Sequence, residues 1–517
     1  MNNYLFSVYE LVEHTVKAYK DKEVLYDLKN RLTYGEFFQE ANRLAAGLKK
    51  LGINKGDRVA VCLPNWNETA VIFVAAAKIG AILVPFNPKY KHHEVEYILK
   101  NSEPKVLFVT EQFDENIGFK QAFQVVKTLI SVRFEHPDLL SYQEVASSAS
   151  EDAPAEKLDV NNDLFCLLYT SGTTGIPKGV MISHRAIVQS ANIIAKTIRC
   201  TEKDVFIVPA PLFHIFGMAV NLFCAISCGA RIILQEKYHP KETLKLIEQE
   251  KVTIKQGVPA MFIKELEQED FEDYDLSSLR AGIVGASPIP PNKVKEIRER
   301  MGINLCQSYG ITETGSVTAT DYDEQDERVI LETVGKPIEG VKLKIVDENR
   351  QELPPGEVGE IAIHSFGTMK GYYKMKEQTE QVLDKEGWFY TGDLGVLDEK
   401  GNLRFVGRKK EMIIRGGFNI YPQEVEAVLT KHPQVVEAAV IGLPDEVMGE
   451  SVCAVIKLKK GAACTEEELK EFAKAQMASY KVPNKIIFTE DFPVTASGKI
   501  QKVRLKDQVM EKFNINA

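Results

Sequence analysis

The sequence predicts an α/β fold of doubly wound sheets, and three observations carry that prediction. Short β-branched runs alternate with helix-period segments over most of the first 310 residues, the pattern of parallel strands covered by helices. At 517 residues the chain exceeds what one hydrophobic core serves, so a large domain and at least one smaller one are expected. From Val334 the texture changes to short strands punctuated by glycine and proline.

Thr33 and Glu36 form a capping box, after which Phe37, Phe38, Ala41, Leu44, Ala45, Leu48 and Leu51 recur at helical spacing until Gly52. An apolar run over 58–63 follows, then a helical stretch from Glu68, a run over 81–86 ended by prolines, a helix over 92–100 and a strand over 106–110. Residues 145–159 read as an exposed linker, and alternation resumes from Leu164 to about Gly310. The tract GKPIEGVKLKIVDENRQELPPGEVGEIAI reads as a small antiparallel or barrel-like subdomain. After GRKKEMIIRGG the chain starts anew: Pro422 opens a helix to about Lys431, VVEAAVIGLPD and VCAVIKLKKG read as strands, and an acidic helix begins at Thr465. The expected division is an N-terminal domain over 1–407, a hinge over 408–411 and a small α+β lid over 412–517.

A net charge of −9 gives no reason to expect nucleic acid or an anionic membrane as partner. The eight cysteines lack paired spacing. Cys224 and Cys228 could share a helix face, yet no second ligand pair accompanies them, so buried free thiols are expected and no metal cage. The N-terminus has no secretory signal pattern, and the longest apolar stretch, 70–86, is broken by Lys78 and ended by Pro85. A cytoplasmic protein without an integral membrane segment, monomeric or homodimeric, is expected.

The most informative segment is YTSGTTGIPKGV, residues 169–180. Its glycines let backbone N–H groups approach an anion, its hydroxyls donate, and Lys178 adds a mobile charge. It departs from a Walker A loop, which requires glycine where Pro177 stands and Ser or Thr where Gly179 stands. PLFHIFGM sets His214 among aromatic residues. SYGITETG offers Tyr309 as a stacking face, Thr312 as a hydroxyl and Glu313 as a hard oxygen ligand. YTGDLG puts Asp393 on a glycine-flanked turn, where it can accept from a ribose diol or simply form an Asx turn. PVTASGKIQK places Lys499 after a glycine.

Taken in this order, YTSGTTGIPKG, FHIFG, SYGITETG, YTGDLG, GRKKEMIIRGG and SGKI resemble the adenylate-forming superfamily, which includes acyl-CoA synthetases, beetle luciferases and peptide-synthetase adenylation domains. The resemblance spans nearly the whole chain. It implies two half-reactions: a carboxylate attacks the α-phosphate of ATP to give acyl-adenylate and pyrophosphate, then a thiol takes the acyl group and expels AMP.

By that resemblance Thr170, Ser171, Gly172, Thr173, Thr174, Gly175 and Lys178 would hold the β- and γ-phosphates, and Glu313 would take Mg²⁺. Gly285, Ala286 and Ser287 with Gln307, Ser308 and Tyr309 would frame the adenine, and Gly310 counts among the nucleotide contacts. Thr312 would touch the α-phosphate, and Asp393 and Arg408 would bind the ribose. Lys499 would bridge carboxylate and α-phosphate, and Lys410 would be the pivot of a rotating lid. After rotation Gly416 and Gly417 would line the pantetheine channel, His214 would gate the acyl site, and Lys237 would meet a CoA phosphate. Gln501 and Lys502 stand where relatives often have arginines, which puts a CoA contact there in doubt.

Amino-acid-activating relatives usually carry an aspartate beside the aromatic of the FHIFG region, whereas His214 follows Phe213 here, which disfavours a zwitterionic substrate. Phe213, Phe216, Met218, Val258 and Gly315 form an apolar acyl set. The implied enzyme is an acid–CoA ligase using ATP, Mg²⁺ and coenzyme A on an apolar carboxylate, with a medium- or long-chain fatty acid preferred. Aryl or short-chain acids, or a different acyl acceptor, are the alternatives.

Overall fold

The computed structural model describes residues 5–148, 152–171, 177–495, 499–513 and 515. Two large sheets face each other across a shared core. One has seven strands, with Arg58–Cys62 flanked by Val106–Val109 and Ile82–Pro85 in parallel, closed at one edge by the antiparallel hairpin Leu164–Ser171/Pro177–Ser183. The other has nine strands, parallel from Asn304–Ile311 through Ala281–Val284, Ile254–Lys255, Val205–Val208 and Arg231–Leu234 to Glu23–Tyr26, with antiparallel strands at both edges. The sheets are therefore mixed rather than purely parallel.

Thr33/Glu36 makes the expected reciprocal capping box, the acidic helix expected from Thr465 opens on another with Glu468, and Ser7/Glu10 and Ser141/Glu144 make two that were not anticipated. Every residue of helix Asn67–Lys78 except Glu68 is buried, and its last residue, Lys78, is 2% exposed yet reaches Asp152 at 2.6 Å and Asn42 at 2.9 Å. The segment expected to be a linker is in part structured. Helix Tyr142–Ser147 buries Val145 and Ala146, because Gly47 brings the helix Tyr34–Lys50 against the Val145 carbonyl too closely for any Cβ.

The barrel-like subdomain expected from Val334 is instead an open four-stranded antiparallel sheet, in the order Val341–Val346, Gly359–Ser365, Phe389–Leu397, Leu403–Arg408. Its short strands and tight turns read like a barrel, but its inner face is already filled by Ile345, Ile361, Ile363 and Leu403 packing with Tyr309 and Val317 of the nine-stranded sheet. Beyond the 3₁₀ turn Lys409–Glu411, the strands Ile413–Arg415, Phe418–Ile420, Val435–Asp445, Gly449–Leu458 and Lys485–Phe488 form a fifth-strand-completed sheet with its own core around Val425, Val440 and Ile456.

One buried side chain knits the two large sheets where the site will lie. Asn65 donates from Nδ2 to the carbonyls of Val208, Ala210 and Gln235, and its Oδ1 accepts from the Leu212 amide at 2.9 Å. We expect Asn65→Ala to lower the free energy of unfolding by about 3 kcal/mol, because it strands several buried polar groups at once. Urea denaturation checks this, and a loss under about 0.5 kcal/mol contradicts it.

Candidate active site

In open α/β sheets the carboxyl ends of parallel strands leave a crevice that binds ligands. Four such ends meet here. Val208 leads to Pro211 and His214, Lys255 to Gln256 and Val258, and Val284 to Gly285, Ala286 and Ser287. Strand Asn304–Ile311 carries Gln307 to Gly310 and continues into Thr312 and Glu313.

The backbone on the expected adenine side is tightly drawn. A Cβ on Gly285 would lie 2.8 Å from the Ser308 carbonyl oxygen, and Ala286 holds φ +67°, a left-handed conformation uncommon for a residue with a side chain. Gln307 and Ser308 engage their side chains within the fold, Gln307 Nε2 donating to the Ile330 carbonyl at 2.7 Å and Ser308 Oγ to that of Thr318 at 2.8 Å. These side-chain donors are therefore committed within the fold.

Asp393 and Arg408 are direct partners across antiparallel strands, with Arg408 Nε 3.4 Å from Oδ1. The Tyr309 hydroxyl donates to Asp393 Oδ2 at 2.8 Å. Burial raises the Asp393 pKa, opposed by Arg408 and by the Tyr309 bond.

The phosphate segment leaves and returns as a hairpin in which Thr170 faces Lys178. Gly172, Thr173, Thr174, Gly175 and the Ser171 side chain lie outside the described residues. Lys178 Nζ sits 4.7 Å from the ring centroid of Tyr372, whose hydroxyl donates to Glu313 Oε1 at 3.0 Å. Tyr372 is held there because Tyr373 donates its amide to the Gly179 carbonyl and Met181 to that of Gly371. Glu313 supplies one carboxylate, and no group of three or more metal-binding side chains exists among the described residues. That donor set fits Mg²⁺ held largely by nucleotide oxygens.

Lys499 sits at the end of the small bridge Val494–Ile500, its amide donating to Thr495 Oγ1 at 3.0 Å. It shares the field of Arg408, Asp393 and Glu313; burial and then Arg408 lower its pKa to about 8 despite the two carboxylates. His214 is pushed down to about 3 by burial and by the Lys499 charge, so the imidazole is neutral. Its Nδ1 accepts from the Phe216 amide at 3.2 Å, leaving Nε2 to carry the hydrogen.

The structure thus brings Lys178, Glu313, Asp393, Arg408, Lys499 and His214 into one neighbourhood. Of the apolar set, Phe216, Met218 and Val258 are buried and Phe213 half-buried. Gly315 has φ +68° beside Ser190. Thr312 is half-buried and Lys237 exposed, while Lys410 lies in the 3₁₀ turn. Gly416 and Gly417 form the two-residue turn of a hairpin, φ +56° and +84°, with Gly416 against Met448. Lys502 is an ion-pair partner of Glu426 at 2.7 Å and Glu411 at 3.5 Å, so its charge is engaged inside the protein.

Sequence reasoning missed Tyr372, Asn65 and Gln256. The YY of KGYYKM was the one available signal for the first.

The family described as AMP-binding enzyme matches residues 12–373, and the AMP-binding enzyme C-terminal domain matches residues 424–499. The putative acyl-CoA synthetase YngI of Bacillus subtilis (strain 168) is 38% identical, covering 98% of both chains. The medium-chain acyl-CoA ligase ACSF2, mitochondrial, of Mus musculus is 34% identical over 98% of this chain and 88% of its own. Among solved structures, ATP-bound MatB from Rhodopseudomonas palustris superposes with TM-score 0.88 at 30% identity, covering 98% of this chain and all of that one. Apo MatB gives 0.79. The anthranilate CoA ligase AuaEII in complex with anthranoyl-AMP gives 0.89 at 28% identity, covering 98% and 97%.

Because Lys499 carries its charge below about pH 8 and loses it above, kcat/KM for pyrophosphate release is expected to fall as pH passes about 8. The neutral His214 adds no step between pH 5 and 8. A pH–rate profile flat to pH 10 contradicts the lysine assignment.

Proposed function

This chain belongs to the AMP-binding enzyme family as an AMP-forming acyl-CoA ligase, and from that premise we propose that its acid is an apolar carboxylate, a medium- or long-chain fatty acid. The observation that carries this reading is the placement of Phe216, Met218 and Val258, all buried, beside a neutral His214. No charged group of that set is available to pair with a substrate amine. The name of the mammalian relative, a medium-chain ligase, supports the same choice.

In the first half-reaction the carboxylate oxygen attacks the α-phosphorus and the bond to pyrophosphate breaks. Negative charge crowds between two anions, and Lys499 supplies a positive charge between them, worth most where water is excluded. Arg408 and Asp393 hold the ribose so that the attack stays in line. Thr312 steadies the α-phosphate. Lys178 holds the departing phosphates, and Tyr372 keeps Lys178 and Glu313 in register. Mg²⁺ on Glu313 would neutralise phosphate charge.

In the second half-reaction the C-terminal unit turns about Lys409–Glu411 and withdraws Lys499. The hairpin at Gly416 and Gly417 then approaches the pantetheine arm, glycine permitting close backbone contact, and Lys237 meets a CoA phosphate. The thiol sulfur attacks the acyl carbon, AMP leaves, and the thioester is released. The better match to ATP-bound than to apo MatB supports reading the present arrangement as the first of these states.

Lys499→Ala is expected to reduce adenylate formation by at least about a hundredfold while sparing thioester formation from preformed acyl-adenylate. Equal loss of both half-reactions, measured by pyrophosphate release and thioester yield, contradicts the two-state lid. With acids from acetate to palmitate plus benzoate and cinnamate, pyrophosphate release is expected to peak among the fatty acids, with thioester formed once CoA is added. AMP formation that never yields a thioester overturns the acceptor, and a peak at benzoate overturns the acid.

A further inference from the structure

The turn that carries Asp393 is a bulge whose tip is held by a side chain with no part in the steps above. On the strands Gly359–Ser365 and Phe389–Leu397, Ala362 faces Tyr390 and Glu360 faces Leu394, so Thr391, Gly392 and Asp393 together stand opposite Ile361 alone. A bulge bends its strand and re-aims a side chain. Gly392 turns this one with φ +70°, a left-handed conformation that glycine adopts without strain.

At the base of the bulge Thr391 Oγ1 donates to the Ile361 carbonyl at 2.8 Å and accepts from the Asp393 amide at 3.0 Å. At its tip the Gly392 amide donates to Glu360 Oε1 at 2.9 Å. A carboxylate accepting a backbone N–H makes a stronger bond than a neutral oxygen does. This one fixes the segment that leads directly into Asp393.

The other oxygen of Glu360 serves a different element. Oε2 lies 3.5 Å from Nζ of Lys409, the first residue of the turn Lys409–Glu411 and the neighbour of Arg408, which faces Asp393 across the strands. Glu360 thus reaches past the strand of Asp393 to the point where the chain leaves for the C-terminal unit. The Glu360 side chain is largely buried while that of Lys409 is 45% exposed, so water competes for the pair and keeps it weak. Weakness suits a contact at a hinge, which must hold the turn without locking it.

We propose that Glu360 is a positioning residue for the first half-reaction: one carboxylate oxygen sets the turn that aims Asp393 at the ribose, and the other holds Lys409 while the C-terminal unit stands in its adenylate-forming arrangement. The inference rests on the ribose and hinge roles proposed above. Rotation about Lys409–Glu411 parts Lys409 from Glu360 and leaves the bond to Gly392 in place, so the nucleotide keeps its ribose contact as the lid turns.

Kinetics with ATP and 2′-deoxy-ATP test the first oxygen, because only ATP offers Asp393 both hydroxyls of the diol. By kcat/KM for pyrophosphate release the unaltered enzyme is expected to favour ATP by about tenfold, and Asp393→Ala to abolish that preference. Glu360→Ala should cut the preference to within about twofold, while Glu360→Gln, which keeps an acceptor for the Gly392 amide, retains it. A merely structural role lowers the rate with both nucleotides alike and leaves their ratio intact, and that outcome overturns the proposal. Lys409→Gln tests the second oxygen: pyrophosphate release should fall about two- to threefold, thioester formation from preformed acyl-adenylate should not fall, and adding Glu360→Gln should cost nothing more. Losses that multiply in the double variant overturn the hinge contact. If Glu360→Ala fails to fold, the Glu360→Gln and Lys409→Gln pair decides alone. Equal use of the two nucleotides by the unaltered enzyme, or a preference that survives Asp393→Ala, overturns the ribose reading together with the proposal; a preference lost there but kept in Glu360→Ala overturns the proposal alone.

Discussion

The candidate site answers one electrostatic constraint: two cations, Lys499 and Arg408, and two carboxylates, Asp393 and Glu313, share a partly dry volume that under the proposed function would also admit a polyphosphate and a carboxylate. Unlike charges that close attract strongly once water is reduced, and like charges repel as strongly. The fold manages this by rooting each group in a different element. Asp393 and Arg408 are clamped by strand pairing, Glu313 by a tyrosine hydroxyl, and Lys499 by a short bridge in the C-terminal unit. Because burial and then Arg408 weaken the hold of Lys499 on its proton, anions bound there under the proposed function would strengthen the ammonium where they gather. Substrate binding and the charge needed for reaction then reinforce one another.

The fold was legible wherever local chemistry decides structure. Thr33 with Glu36 and Thr465 with Glu468 announce their helices because both halves of a capping box lie within four residues. The antiparallel strands beyond Val334 were legible, but not that their sheet stays open rather than barrel-like, because closure depends on what covers a sheet's face, and that cover comes from Tyr309 and Val317 of another sheet. The site was legible in its charged members, which sit in distinctive short motifs. Tyr372 was not: its task is to join Lys178 to Glu313, and neither partner is near it in the chain. Asn65 and Gln256 escaped for the same reason, being polar residues whose partners are backbone carbonyls of distant segments.

These three residues have a common character. Each is buried or half-buried and uses its polar group to hold backbone or another side chain; Asn65 and Gln256 follow the strands Arg58–Cys62 and Ile254–Lys255, and Tyr372 lies in the segment between Ser365 and Lys376. Loops positioned in this way gain the precision of the sheet without losing their freedom of sequence. The glycines at 285 and 217 complete the arrangement, since a Cβ on either would strike a neighbouring carbonyl and push the crevice open.

Lys502 has a mechanical consequence. It binds Glu411 in the turn that leaves the N-terminal unit and Glu426 in the helix beyond, and it begins the tail helix Lys502–Lys512 three positions after Lys499. Under the proposed motion, tail helix and turn move together through these two ion pairs, and Lys499, three residues before Lys502, travels with them. Its arrival and its withdrawal are therefore both timed by the whole C-terminal body, so a bulky cargo fused to the tail helix acts as added drag on both half-reactions.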